Sequence, residues 1–295
     1  MKKIKAVWEL LRLEHGVMIF LGILIGSLIA LEGNIPSIKN LILTFFTALF
    51  LEASTFALND YYDLDIDKKN KRTDRPLVRG DLSPKTAVLL FFIFFPLGII
   101  SSFFVNYTCF IIALITAFLA ILYDAKMKKV KLIGNFYIAY VMAIPFVFGG
   151  AAAIQNNNIY LNVDPAIYIV AVIAFFAGSG REIMKDVQDY EGDKEKGVKS
   201  FPRYIGKRNS NIIAALFYIA AVTWSFLPFS IKQYNLFYQN YVYLVIVIIT
   251  DILLVIISVN LLVIKKPNLK LFRKLSLIAI FIGLISFLSG TFIQI

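Results

Sequence analysis

One cysteine, one histidine and few charges set the first bounds on this chain. Cys109 is alone, so no intramolecular disulfide can form, and its apolar neighbours make it a small core residue. Of 295 residues, 17% are charged and 59% are hydrophobic. Average soluble domains run at about 25% charged and 45–50% apolar. This shortage of charge excludes an ordinary soluble domain. The start, MKKIKAVWELLRLEHG, is basic, but Glu9, Arg12 and Glu14 interrupt what a secretory leader keeps apolar. No small-residue cleavage site follows, so no cleaved leader is expected. Residues 3–13 instead predict a short interfacial helix with Trp8 at headgroup level.

Long apolar runs are what the chain does have. Nine stretches suit the roughly 20 residues a spanning helix needs: 16–31, 38–58, 86–105, 107–123, 133–154, 166–182, 211–230, 241–264 and 275–293. Pro96 and Pro145 fall inside spans, where a membrane bundle tolerates them. With the N-terminus placed on the cytoplasmic side, 28 of the 30 Lys and Arg fall on that side; Lys39 and Lys232 do not. This segregation supports an odd number of spans. It also assigns most of the net charge of +11 to topology, so no nucleic-acid partner is implied, and nothing calls for an obligate protein partner. The expected fold class is all-α. It is a single polytopic domain over residues 1–295, in the cell membrane, with its polar loops cytoplasmic. The outer connection 155–165 carries no readable chemistry.

The densest acidic residues lie in two matched motifs. The second predicted helix ends in Asn59-Asp60-Tyr61-Tyr62-Asp63-Leu64-Asp65-Ile66-Asp67, and the sixth in Lys185-Asp186-Val187-Gln188-Asp189-Tyr190-Glu191-Gly192-Asp193. One offset of 126 residues pairs Asp60 with Asp186, Asp63 with Asp189 and Asp67 with Asp193. It also pairs Lys68 with Lys194, Pro76 with Pro202 and Gly80 with Gly206, which makes an internal repeat. The spacing i, i+3, i+7 puts each set of carboxylates on one helical face. Like charges there repel, and the negative end of the helix dipole disfavours them further. Such an arrangement calls for a cation. Carboxylates with the Asn59 amide, and no Cys or His, favour a hard oxygen-binding ion, Mg²⁺ above Ca²⁺ or Zn²⁺.

Basic residues follow each motif. Lys68, Lys69, Lys71, Arg72, Arg75 and Arg79 come after the first, and Lys194, Lys196, Lys199 and Arg203 after the second. Lys126, Lys128 and Lys129 lie behind Tyr123. Acids on a metal with Arg and Lys around them suit a diphosphate leaving group; Lys68, Arg72 and Arg75 are the nearest candidates. Two acids, Glu52 and Asp251, fall inside spans and are functional candidates on that ground.

At these residues the chain resembles the UbiA superfamily of intramembrane prenyltransferases. Asn59–Ser83 (NDYYDLDIDKKNKRTDRPLVRGDLS) is similar to its first motif, and Arg181–Asp193 (REIMKDVQDYEGD) to its second. The resemblance implies nine helices with both motifs on the cytoplasmic side. It implies a reaction in which Asp63, Asp67, Asp189 and Asp193, with Asn59, Asp60 and Asp186, hold Mg²⁺ on a prenyl diphosphate. Members often carry a Lys four residues after the tyrosine that Tyr123 matches. Here that position is Met127, so Lys126 or Lys128 would take the role. The wording of both motifs is most like the archaeal lipid branch, which adds a geranylgeranyl chain to the glycerol hydroxyl of geranylgeranylglyceryl phosphate. Such a lipid-phosphate acceptor would need a further cation, for which Arg12 and His15 are candidates. Prenylation of an aromatic or quinone precursor of the 4-hydroxybenzoate type is the alternative, and a cation or phosphate transporter is the rival from another class.

Overall fold

A computed structural model describes residues 2–69, 71–153, 164–195 and 197–293, except the side chains of Lys2, Glu14, His15, Val17 and Lys129. The connection 155–165 and Lys196 thus fall wholly or largely outside the described residues. Twelve α-helices form the described structure: α1 (Lys2–Leu11), α2 (Leu13–Ala30), α3 (Ile38–Lys69), α4 (Pro76–Arg79), α5 (Pro84–Val105), α6 (Tyr107–Ala125), α7 (Lys131–Ala153), α8 (Pro165–Glu195), α9 (Phe201–Ser225), α10 (Leu227–Ser230), α11 (Tyr241–Val263) and α12 (Leu269–Phe292). A 3₁₀ turn, Met127–Lys129, precedes α7.

Local chemistry sets many of the boundaries. Asn106, Asn240 and Asn268 each accept a backbone N–H at the start of α6, α11 and α12, and Ser83 does so for α5. Each bond satisfies one of the donors that a helix start leaves free. α5 and α7 run through Pro96 and Pro145, as a membrane bundle permits.

Eight described helices are long and apolar enough to cross a membrane. The first predicted span, 16–31, corresponds to α2, whose apolar section Met18–Ala30 is shorter. The seventh, 211–230, divides differently: α9 starts earlier, at Phe201, and the last four residues form the separate α10. The predicted interfacial helix is α1, with Ile4 and Trp8 exposed while Ala6, Leu10 and Leu11 pack against α3 and the α4 region.

The repeat is visible in the backbone. The 126-residue offset carries Ile38–Lys69 almost residue for residue onto Pro165–Glu195. Both motif helices are followed by a proline-started turn that ends at a left-handed glycine, Gly80 with φ 79° and Gly206 with φ 81°. α3 has 32 residues, about 48 Å at 1.5 Å per residue. A hydrocarbon core is about 30 Å thick, so the excess length carries the acidic motif beyond it.

Small residues let the helices approach. A Cβ on Gly149 would lie 1.9 Å from the Ile23 carbonyl oxygen, and one on Gly26 would lie 2.0 Å from that of Phe146. α2 and α7 therefore cross backbone to backbone. Ser27 adds a hydrogen bond, donating its Oγ to Gly149 O at 2.8 Å. Gly149→Val is expected to cost about 1–3 kcal/mol, read as a lower thermal midpoint in detergent, while the exposed Phe92→Leu leaves the midpoint in place. An unchanged midpoint in Gly149→Val would mean that this crossing does not hold α2 on α7.

Candidate functional site

The two acidic motifs end on a shared basic frame. In the first, Asp60 is 2% exposed. Its Oδ1 accepts from Arg12 Nη2 at 2.5 Å and from Arg75 Nη1 at 3.0 Å. Its Oδ2 is buried with no hydrogen-bond partner among the described residues. Arg75 also reaches Asp67, Nε to Oδ2 at 3.9 Å. Asp63 pairs with Lys128 at 2.6 Å. Asn59 donates its amide to Asp124 Oδ1 at 2.6 Å.

The second motif repeats the pattern with other residues. Asp186, also 2% exposed, accepts from Asn135 Nδ2 at 2.7 Å and lies 3.2 Å from Lys131 Nζ. Lys131 reaches Asp193 as well, at 2.6 Å. In each motif, then, one cation spans the first and third aspartates: Arg75 in the first and Lys131 in the second. Asp189 makes no ion pair among the described residues.

Local backbone explains why the frame forms. Arg12 lies between α1 and α2 with φ 47° and ψ 47°, a left-handed conformation that non-glycine residues rarely take. The turn aims its guanidinium at Asp60 and sets it 4.4 Å over the Phe56 ring. Lys131 is the first residue of α7. The connector before it is pinned by a β-bridge between Val130 and Lys199. Arg12 and Lys131 thus enter at comparable places, each next to the start of the helix that packs beside a motif helix.

The structure places the other predicted residues differently. Arg72 is exposed and holds Asp74 in a two-point pair, at 2.9 and 2.8 Å. That pair keeps the Asp74 carboxyl below its ordinary value and raises the Arg72 guanidinium above its own. Lys68 and Lys126 are exposed. Tyr123 stacks on Tyr137 with ring centroids 4.8 Å apart. The side chain of His15 lies outside the described residues. Sequence reasoning missed Lys131, Asn135 and Asp124. The one available signal was polarity: Asp124 closes the apolar run of α6, and Asn135 is a polar group near the start of the next one.

Behind this frame lies a cavity of about 460 Å³ between α2, α3, α6, α7 and α8. Its walls are apolar, from Ile19 and Ile23 to Val141 and Phe148, and Ala113, Ala117 and Ala120 leave it room. Polar groups converge at one end: Arg12, Asn59, Tyr123, Asp124 and Lys185. Glu52 lines the wall further along α3. From Asn59 to Thr47 the lining extends about 18 Å along that helix. Asp251, the other acid inside a span, is elsewhere. It accepts from Ser225 Oγ at 2.7 Å, beside a cavity of about 60 Å³.

The donor set suits a hard divalent ion. Seven oxygen ligands were expected from Asn59, Asp60, Asp63, Asp67, Asp186, Asp189 and Asp193, and the orphaned Asp60 Oδ2 is the kind of atom such an ion satisfies. Among the described residues, no three acidic, His or Cys side chains stand close enough to share one ion in this arrangement. The ammonium groups of Lys128 and Lys131 lie beside these carboxylates.

Residues 19–290 match the model of the UbiA prenyltransferase family. The chain is 40% identical over 290 residues to digeranylgeranylglyceryl phosphate synthase of Archaeoglobus fulgidus, covering 98% of this chain and 96% of that one. A solved structure described as digeranylgeranylglyceryl phosphate synthase in membranes superposes with a TM-score of 0.83 at 34% identity, covering 99% of both chains. A UbiA homolog from Archaeoglobus fulgidus, solved bound to GPP and Mg²⁺, superposes with a TM-score of 0.58 at 19% identity, over 96% of this chain and 99% of that one. The last likeness concerns the fold.

The ion pairs set an expectation. Asp60→Ala leaves two half-buried guanidinium groups without their common buried acceptor. The metal-free protein should lose about 3 kcal/mol of stability, measured as its thermal midpoint in detergent with chelator. Asp189→Ala, at a position with no such pairs, should leave that midpoint within error of wild type.

Proposed function

The chain belongs to the UbiA prenyltransferase family, and we propose that it transfers a geranylgeranyl group from geranylgeranyl diphosphate to the free hydroxyl of geranylgeranylglyceryl phosphate, releasing diphosphate, in archaeal ether-lipid synthesis. One observation carries this reading. Asn59 of the first motif, Arg12, which holds Asp60, and Lys185, which heads the second motif, line the polar end of an apolar cavity inside a membrane bundle. The cavity suits a prenyl chain by its walls, and its polar end suits a diphosphate.

The site residues follow from that placement. Asp63, Asp67, Asp189 and Asp193, with Asn59, Asp60 and Asp186, would hold Mg²⁺. When bound, Mg²⁺ offsets the charge that develops on the leaving diphosphate. Arg75, Lys128 and, swung from its pair with Asp74, Arg72 bind diphosphate oxygens; Lys68 and Lys126 add positive charge from the exposed rim. The stacked pair Tyr123 and Tyr137 lies at the polar end of the cavity, and its π-faces stabilise positive charge building at the allylic carbon. Exclusion of water by the apolar wall keeps that carbon from being hydrolysed. Arg12, at the opening beside Asn59, is placed to receive the acceptor phosphate, with His15 three residues on along α2.

The whole chain works as one domain in this reading. The Lys and Arg segregation puts the N-terminus and the site on the cytoplasmic side, where both diphosphate and lipid-phosphate acceptor are met. The bilayer itself is the other partner.

A transfer assay on detergent-purified protein tests the reading. With Mg²⁺ and labelled geranylgeranyl diphosphate, product is expected from geranylgeranylglyceryl phosphate and none from 4-hydroxybenzoate. Product only from the aromatic acid would replace the acceptor and keep the metal chemistry. Asp63→Ala and Asp189→Ala should each lower transfer at least about a hundred-fold while the protein still purifies as a folded species. Full activity in both would remove the metal site from the mechanism.

A further inference from the structure

The connector between α6 and α7 touches both acidic motifs. Lys128, on its 3₁₀ turn, lies 2.6 Å from Asp63, and Lys131, at its end, spans Asp186 at 3.2 Å and Asp193 at 2.6 Å. These carboxylates belong to the two sets read as metal ligands, and they lie on two separate helices. The backbone of the connector is tied down. Val130 N donates to Met127 O at 2.8 Å, and Val130 bridges to Lys199 beyond the second motif. A Cβ on Gly134 would meet Met127 O and the Tyr123 ring, each at 3.2 Å, so α7 packs closely on the turn. The ammonium groups, by contrast, sit on four-carbon stems that swing without moving the backbone.

We propose that Lys128 and Lys131 are tethered stand-ins for the metal: positioning residues that neutralise the two motifs before Mg²⁺ arrives and release them when metal and diphosphate bind. The inference rests on the metal-dependent reading given above. Electrostatics supports it. Two carboxylates 4 Å apart repel by about 4 kcal/mol at an effective dielectric of 20, so motifs at a membrane edge need positive charge at every stage. An ammonium supplies one charge and Mg²⁺ two. With diphosphate present, the metal satisfies both the acids and the incoming phosphate, and the freed lysines face the same anion. Exchange therefore keeps the site near neutral. Arg75 differs from Lys131 in this respect. Its planar fork holds Asp60 through Nη1 alongside Arg12, and with five N–H donors it can bind a phosphate oxygen without releasing that acid. The two motifs are thus bridged alike, but only the second is bridged by a residue that leaves easily.

The test compares Lys131→Met, Lys128→Met and Lys131→Arg with wild type and with a control on the opposite side, Lys232→Met. Two quantities are read on each full-length protein in detergent: the thermal midpoint as Mg²⁺ is titrated into chelator-treated protein, and the Mg²⁺ half-saturation of geranylgeranyl diphosphate turnover. A stand-in that must be displaced weakens metal binding. Lys131→Met should therefore lower the metal-free midpoint, yet reach half its Mg²⁺-induced rise at a concentration about five-fold or more below wild type. Lys128→Met should move the same way, Lys131→Arg should need more Mg²⁺ than wild type, and Lys232→Met should match it. A residue that only props the structure would lower the midpoint with and without Mg²⁺ and leave half-saturation alone. That result, or a raised half-saturation in both methionine variants, overturns the inference. A wild type that responds to Mg²⁺ in neither measurement overturns the proposed function as well, so the two failures are told apart. If Lys131→Met does not fold, Lys128→Met decides.

Discussion

Carboxylates crowded at a membrane edge need positive charge beside them, and the architecture at this end of the bundle is arranged around supplying it. Asp60, Asp63, Asp67, Asp186 and Asp193 each have a basic partner within 4 Å. Those partners come from three separate places in the chain: the α1–α2 junction, the loop after α3 and the α6–α7 connector. Each pair therefore fixes a loop as well as a charge. Arg12 is bent into a left-handed turn to reach Asp60, and Arg75 brings the start of α4 back against the helix that precedes it. Removing one partner of a buried pair costs far more than the pair contributes. The acidic motifs are thus as much a scaffold for the loops as a binding surface.

The duplication divides the work unevenly. The halves share the length of the motif helix, the motif register and the left-handed glycine after each motif. Side-chain volume separates them. In the first half, alanines along α6 leave a cavity of about 460 Å³. In the second, Tyr218, Phe237 and Tyr243 are fully buried, and about 60 Å³ remains between α7, α8, α9, α11 and α12. Tyr243 donates to the Ser225 carbonyl and Ser225 donates to Asp251, so the polar groups there are bonded to one another. The open space therefore lies against α6, and its lining includes Asn59 of the first motif and Lys185 at the head of the second.

A membrane helix bundle without strong hydrophobic drive between its helices relies on close packing. The α2–α7 crossing shows the principle, with Gly26 and Gly149 each facing a backbone carbonyl of the other helix. The crossing brings α2 against one wall of the cavity and leaves Arg12 just beyond its start. A change in that packing would move the polar end of the cavity along with the wall.

The sequence by itself determined the class of fold and the location of the acids. Apolar runs can satisfy their backbone in a bilayer only as helices, so hydropathy was enough to place most spans, and the segregation of Lys and Arg ordered them. The i, i+3, i+7 spacing is a property of one helix, so the shared face of Asp60, Asp63 and Asp67 was legible too. Which cation meets which acid was not. Arg72 and Arg75 stand three residues apart and look alike in sequence, yet one is turned to the exposed Asp74 and the other to the buried Asp60. Lys131 reads as one more loop charge, although it spans two acids more than fifty residues away. Nor could the sequence say which half keeps its cavity. Those outcomes depend on how helices distant in the chain pack, and only the tertiary structure brings their side chains within reach of one another.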